Sequence, residues 1–221
     1  MQKILLTKKI AVIGCGGQGG YIIEYLARLG VKEITFWDGD IFEESNLNRQ
    51  LGCTTDTIGY KKAVIMKQRI EQINPYMDYT WCDWYFGDKG VSDVVRALQH
   101  DIVINAADPD YNCKELRSCL REVILSGIPV IECPAGTIGG FVAIETIQSI
   151  KHFDYQTNVC LTADKTIPCS QPAYKCALMA AEAVNQMVQY FNNCRFASVG
   201  SVLEIDMYHH RYKQHDKYGT F

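Results

Sequence analysis

Apolar and polar positions along the chain change period in a repeating order. Lys9–Gly14 (KIAVIG) is a short, nearly continuous apolar run, and Gly17–Leu29 then carries apolar residues at helical spacing. A run buried on both sides reads as a strand of a covered sheet, and the longer periodic stretch as the helix packed on it. The same alternation predicts strands over Glu33–Trp37, Tyr79–Trp84, Asp101–Ala106 and Pro129–Cys133. Between them it predicts helices beginning near Gly59, with Ala63, Met66, Ile70 and Ile73 on one face, over Val91–Leu98 and over Tyr111–Ser126. Asn74-Pro75 stops the first of these three. Strands alternating with helices predict an α/β fold: a mostly parallel sheet with helices on both faces.

After Pro134 the rhythm changes. Gly139–Ile147 predicts a longer strand, antiparallel in sense, and Ala173–Phe191 a helix with a small-residue face. Leu203, Ile205 and Met207 alternate with Glu204 and Asp206, the period of a half-exposed strand. Lys151–Gln171 shows no period and reads as a polar loop, and YHHRYKQH (Tyr208–His215) as a polar tail without acids at metal-ligand spacing. There is no repeat and no low-complexity linker, so residues 1–221 read as one domain.

Composition narrows the function classes. The chain has 221 residues, 48% hydrophobic and 21% charged, with a formal net charge of −3. That balance offers no electrostatic reason to expect nucleic acid or an anionic membrane as the main partner. No run approaches the roughly 20 apolar residues of a spanning helix. The N-terminus, broken by Lys8 and Lys9, does not read as a secretory signal, so a cytoplasmic setting is expected. Ten cysteines without paired C-x-x-C spacing read as small buried hydrophobes and not as a disulfide framework or zinc knuckle.

The candidate chemistry begins at GCGGQGG (Gly14–Gly20), between a strand and a helix. Glycines let a phosphate approach the backbone, and the helix N-terminus offers it free N–H groups. Asp38 ends the next strand, where an acid can accept from a ribose. The turn and Asp38 together predict a Rossmann-like arrangement and fit an NAD(P)-binding oxidoreductase as well as an ATP-using enzyme. The next loop, DGDIFEESNLNRQ (Asp38–Gln50), separates the two. Breaking a triphosphate needs cations and a metal for the charge that builds on the phosphates. Arg49 and Lys62 supply the cations, and Asp108, after the strand Asp101–Ala106, a carboxylate for Mg²⁺. The bland readings are solvated surface for Arg49 and a turn-initiating helix cap for Asp108.

Gly-x-Gly-Gly-x-Gly, D-x-D, S-N-L-x-R-Q, I-G-x-x-K and an Asp after an apolar strand, running from Gly14 to Asp108, resemble the ThiF/MoeB/HesA family, bacterial relatives of ubiquitin-activating enzymes. The general layout of the resemblance continues to about Phe191. It implies ATP and Mg²⁺ as cofactors and adenylation of the C-terminal carboxylate of a small ubiquitin-like, β-grasp carrier protein. It implies that Gly14, Gly16, Gly17 and Gly19 form the nucleotide turn, that Asp38 holds the ribose hydroxyls and that Asp40 supports the loop. Asn46, Arg49 and Gln50 would line the phosphate side, with Arg49 stabilising charge, Lys62 contacting phosphates and Asp108 ligating the metal. A homodimer is also implied by resemblance. Many members carry a cysteine that takes over the activated carboxylate. Cys169 is the first choice here, Cys160 the second, while Cys176 is expected inside the last long helix. The paired C-x-x-C zinc site is missing, and only Lys3, Lys8 and Lys9 precede the turn where relatives carry an arginine, which points to a trimmed or specialised member. The alternatives are adenylation of a small-molecule or tRNA carboxylate, an NAD(P)-binding oxidoreductase, or a non-catalytic nucleotide-binding scaffold.

Overall fold

A computed structural model describes residues 2–107, 113–135, 139–154, 172–194 and 197–216. Its strands are β1 (Lys9–Ile13), β2 (Glu33–Trp37), β3 (Asp78–Cys82), β4 (Ile102–Asn105), β5 (Val130–Glu132), β6 (Gly139–Glu145), β7 (Ser201–Asp206) and β8 (Arg211–Asp216). They form one sheet in the order β3-β2-β1-β4-β5-β6-β7-β8. The first five strands in that order are parallel and the remaining pairings antiparallel. The helices are α1 (Gln2–Leu5), α2 (Gly19–Leu29), α3 (Lys62–Ile73), α4 (Val91–Ala97), α5 (Cys113–Leu125) and α6 (Ala173–Phe191).

The pleat of β1 shows why its apolar run is unbroken. Ile10 and Val12 face one core with Ile22, Ile23 and Leu26 of α2, Met66 and Ile70 of α3, and Met179 and Ala183 of α6. Ala11 and Ile13 face a second core with Ala97 of α4 and Leu120 and Val123 of α5. Both sides of the strand are covered, so its four buried positions, Ile10 to Ile13, are all apolar. Helix α2 ends at Gly30, whose left-handed backbone (φ +69°) lets its N–H reach the carbonyls of Leu26 and Ala27.

Strand order reverses between β2-β1 and β4. In an open α/β sheet, that reversal opens a crevice at the carboxyl ends of the strands. Ile13 pairs with both Trp37 and Asn105, so Gly14, Asp38 and Ala106 leave the sheet side by side. Hydrogen bonds from Gly14 N–H to Trp37 O (2.8 Å) and from Ala106 N–H to Ile13 O (2.8 Å) hold the three exits together.

Two expectations need correction. The stretch from Lys151 does not start as a loop. Residues 147–149 form a 3-10 turn and 150–154 a helical turn. This segment buries Phe153, with the Arg117 guanidinium 3.9 Å above its ring, and His152, whose Nδ1 lies 2.7 Å from Glu145 Oε1. Its buried groups are partly polar, so hydropathy alone leaves no period. The remainder of the expected loop, 155–171, lies outside the described residues. The C-terminal stretch is likewise not a tail. After a turn at 207–210, β8 pairs along all of β7. The pairing brings Glu204 Oε2 to His215 Nε2 (2.6 Å), and the turn brings Asp206 Oδ2 to His209 Nδ1 (2.7 Å), acids that spacing along the chain did not reveal. Helix α1, which buries Leu5, was not anticipated.

A buried polar pair ties α4 to β2. His100 Nδ1 lies 3.1 Å from Arg96 O and 3.3 Å from Ala97 O, and Nε2 lies 2.8 Å from Thr35 Oγ1. Facing only carbonyl oxygens, Nδ1 must carry the proton, so Nε2 accepts from the Thr35 hydroxyl. Burial lowers the His100 pKa below its usual value, against the opposing pull of Glu33. A depressed histidine contributes stability above its unfolded pKa of roughly 6.5, and that stability is lost as pH falls through the folded value. Between pH 7 and pH 5 the urea midpoint of the wild type should therefore fall more steeply than that of His100→Gln. Equal slopes in paired urea titrations would show that His100 carries none of the pH dependence.

Candidate functional site

The glycine turn is shaped by contacts that exclude side chains. Gly14 has φ +94°, and a Cβ there would lie 2.8 Å from Ala106 O. A Cβ on Gly19 would lie 1.9 Å from Gly14 O, an impossible approach to backbone. The turn is thus wound tightly on itself at the sheet's reversal point, and α2 begins immediately after it.

Asp38 braces this turn. Its Oδ2 accepts from Cys15 N–H at 2.6 Å and its Oδ1 from Asp40 N–H at 2.9 Å. Both oxygens keep a further lone pair for another donor. Burial raises the Asp38 pKa, and the nearby Lys62 charge works against that rise. Lys62 is the first residue of α3 and is itself buried. Its Nζ lies 2.9 Å from Asp40 Oδ2, and its N–H donates to Asp40 O at 3.0 Å. Asp40 also accepts from the Tyr85 hydroxyl. Burial pushes the Asp40 pKa up, but the Tyr85 hydroxyl and Lys62 outweigh it, and the carboxyl titrates below its usual range.

The S-N-L-N-R-Q segment folds over the turn. Asn46 is buried in the 3-10 turn Glu44–Asn46, where its Oδ1 accepts from Glu43 N–H at 3.1 Å in a reciprocal capping box. Glu43 and Glu44 are exposed, as expected. Arg49 Nη1 donates to Ser45 O (2.9 Å) and Asn48 Oδ1 (3.0 Å). Its Cδ lies 3.8 Å from the position of a Cβ on Gly17, so the arginine stem lies on the glycine turn. Gln50 Nε2 lies 3.8 Å from the corresponding position on Gly16. Gln50 Oε1, and Gln18 Oε1 within the turn, are buried without a hydrogen-bond partner. Unpaired polar atoms at such depth are costly, and as acceptors both lack a donor.

The structure thus brings together Gly14, Gly16, Gly17 and Gly19 with Asp38, Asp40, Asn46, Arg49, Gln50 and Lys62. Asp108, Cys160 and Cys169 lie outside the described residues. Ala107 lies beside the glycine turn, its N 3.0 Å from the position of a Cβ on Gly14. Cys176 lies in the first turn of α6, inside the helix as expected, but its thiol also touches the turn, 2.9 Å from a Cβ position on Gly17. Among the described residues no group of three His, Cys, Asp or Glu side chains is placed to hold a metal ion.

Sequence reasoning missed two sets of residues. Tyr85, between the expected strand Tyr79–Trp84 and the expected helix Val91–Leu98, was given no role. Beneath the site, Glu132 at the end of β5 receives Arg117 (2.9 Å) and Asn105 Nδ2 (3.2 Å), and Asn105 Oδ1 accepts from Ala107 N–H at 3.3 Å. The available signal was a polar residue closing each of two otherwise apolar strands.

The ThiF family model matches residues 1–218. The chain is 37% identical to the tRNA threonylcarbamoyladenosine dehydratase of Haemophilus influenzae over 131 residues, 59% of this chain and 47% of that protein. It is 29% identical to the sulfur carrier protein ThiS adenylyltransferase of Escherichia coli over 145 residues, 66% of this chain and 56% of the other. It therefore spans about half the length of the curated relatives it matches. The crystal structure of E. coli MccB with ATP superposes with a TM-score of 0.79 over 98% of this chain and 65% of that one, at 19% identity, a likeness of fold. No described helix is long and apolar enough to cross a membrane. Because the family match runs over nearly the whole chain, through the glycine turn and the loop that folds over it, the protein belongs to the ThiF family.

Proposed function

We propose that this chain is an ATP-dependent adenylyltransferase that activates the C-terminal carboxylate of a small ubiquitin-like carrier protein. The observation that carries this reading is a buried lysine, Lys62, paired with Asp40 and close enough to Asp38, which braces the glycine turn, to act on its charge, while the stem of Arg49 lies on that turn. A nicotinamide enzyme requires neither cation. A carboxylate oxygen of the acceptor attacks the α-phosphorus, the bond from that phosphorus to the oxygen bridging the β-phosphate breaks, and pyrophosphate leaves with the electron pair. The nucleophile is already ionised at neutral pH, so the step needs no protein base. In this reading the turn's N–H groups and Arg49 meet the phosphates, Lys62 meets the charge of the departing group, and Asp38 accepts from the ribose.

The sequence resemblance assigns Mg²⁺ to Asp108. Both oxygens of Asp38 already accept backbone N–H bonds, and Asp40 is paired with Lys62 and Tyr85. The same resemblance assigns an acyl-accepting thiol to Cys169.

The names of the relatives favour two acceptors. A sulfur carrier is named in one, and tRNA in another that is more identical to this chain. We take the carrier protein as the acceptor because the net charge of −3 gives no general attraction to tRNA. The test is exchange of labelled pyrophosphate into ATP with a candidate carrier ending in Gly-Gly, or with tRNA. Label should enter ATP with the carrier, and Arg49→Ala should reduce the rate by at least about tenfold. Exchange with tRNA alone would move the substrate to the second reading. Nicotinamide binding without exchange would overturn adenylation, and partner binding without exchange would leave a scaffold.

A further inference from the structure

Tyr85 follows β3 and belongs to none of the motifs around the turn. Its ring lies on the loop that carries Asp38 and Asp40: a Cβ on Gly39 would come within 2.7 Å of its ring carbons. Its hydroxyl donates to Asp40 Oδ1, while Lys62 Nζ holds the other oxygen, Oδ2, at 2.9 Å. One half-buried carboxylate is therefore shared between a phenol and an ammonium group. The backbone around it is tied on both sides, by Lys62 N–H to Asp40 O (3.0 Å) and by Lys61 Nζ to Gly39 O (2.6 Å). The carboxylate cannot follow the lysine if the lysine moves.

Resting on the adenylation reading, we infer that Tyr85 is a positioning residue that lets Lys62 transfer its ammonium group from Asp40 to the phosphates of bound ATP. While Lys62 is docked on Asp40, the carboxylate has a cation and the phenol adds little. When the ammonium group turns to the triphosphate, Asp40 loses its bonded cation in a place where water reaches it only partly; the Lys61 charge still acts on it, but the phenol is the side-chain donor that remains on it. A hydrogen bond to an ionised group is stronger than one to a neutral or neutralised group, so the phenol stabilises the nucleotide-bound arrangement more than the resting one. Its contribution appears only with a ligand that draws Lys62 away, one carrying β- and γ-phosphates.

The test compares equilibrium binding of ATP and AMP to the full chain by titration calorimetry. Tyr85→Phe keeps the ring on Gly39 and removes only the hydroxyl. It should weaken ATP about three- to tenfold and leave AMP within about twofold. In a Lys62→Met background the same change should no longer distinguish ATP from AMP, because there is no ammonium group to release. If Tyr85→Phe weakens both nucleotides equally, the residue is a wall of the site and the inference fails. If it weakens neither, the inference fails while the nucleotide reading stands. A wild-type chain that binds no ATP overturns both. Should Tyr85→Phe unfold, Asp40→Asn supplies the second reading: it frees Lys62 in advance and should tighten ATP relative to AMP, and a fall in that ratio would also overturn the inference.

Discussion

Lys62→Met is expected to reduce pyrophosphate exchange by about 10²- to 10³-fold, the usual loss when one group that stabilises developing phosphate charge is removed. The side chain is only 8% exposed and lies between two acids, Asp38 and Asp40. Methionine fills similar volume but removes the cation that acts on Asp38 and is bonded to Asp40, leaving Asp40 the Lys61 charge. Asp40 is 47% exposed and keeps the Tyr85 hydroxyl, so solvent screens much of that loss. A stability cost of about 1–2 kcal/mol follows, below the figure for a fully buried pair.

The pH dependence of this cost has a definite sign. Burial already raises the Asp38 pKa, and Lys62 is the first cause opposing it, so the variant raises it further. A carboxyl whose folded pKa is raised contributes stability below its unfolded value of roughly 3.9 and loses it as pH rises through the folded value. The destabilisation by Lys62→Met should therefore be small near pH 4 and larger at pH 7. Urea midpoints at the two pH values measure it. A variant with full exchange activity, or one equally destabilised at both pH values, would contradict the role given to this lysine.

Gly19→Ala is expected to destabilise the fold by more than about 3 kcal/mol and to abolish nucleotide binding. The added methyl carbon would lie 1.9 Å from Gly14 O and 2.6 Å from Gly14 C, both backbone atoms. Gly14 cannot retreat. Its N–H donates to Trp37 O at 2.8 Å, and its own Cα faces Ala106 O on the neighbouring strand exit. The turn must unwind from the switch point or α2 must shift along the core, and either exceeds ordinary overpacking. For a chain of this size the expected fall in melting temperature is about 6–12 °C. Gly59→Ala is the control. Its φ is +87° but nothing lies within 4 Å, so only the backbone penalty of about 1 kcal/mol applies. Comparable melts for the two variants would show that the turn tolerates a side chain and is not tightly wound.

Parts of this site were legible before any coordinates. KIAVI and EITFW could be placed within a residue because strands covered on both faces read as nearly continuous apolar runs, broken here only by Lys9 and Glu33 at the strand starts and by Thr35, which bonds to His100. Strand β8 escaped notice for the opposite reason. RYKQHD lies at the edge of the sheet, largely exposed, so no alternation marks it. Arg117, Asn105 and Glu132 were invisible as a group. Each is an ordinary polar residue in its own segment, and only burial makes them dependent on one another.

The sequence alone determined the alternation of strands and helices from β1 to α5, the glycine turn and the cations placed after it. These depend on neighbours along the chain: apolar period, backbone freedom, and the start of a helix. Tertiary structure alone decided that Asp38 would hold the turn across 23 positions, that Asp40 would be divided between Lys62 and a tyrosine 45 positions away, and that the Cys176 thiol would lie against Gly17. Hydrogen bonds and contacts of that span leave no periodic trace, because it is the packing of separate elements, and not spacing, that brings their atoms within reach.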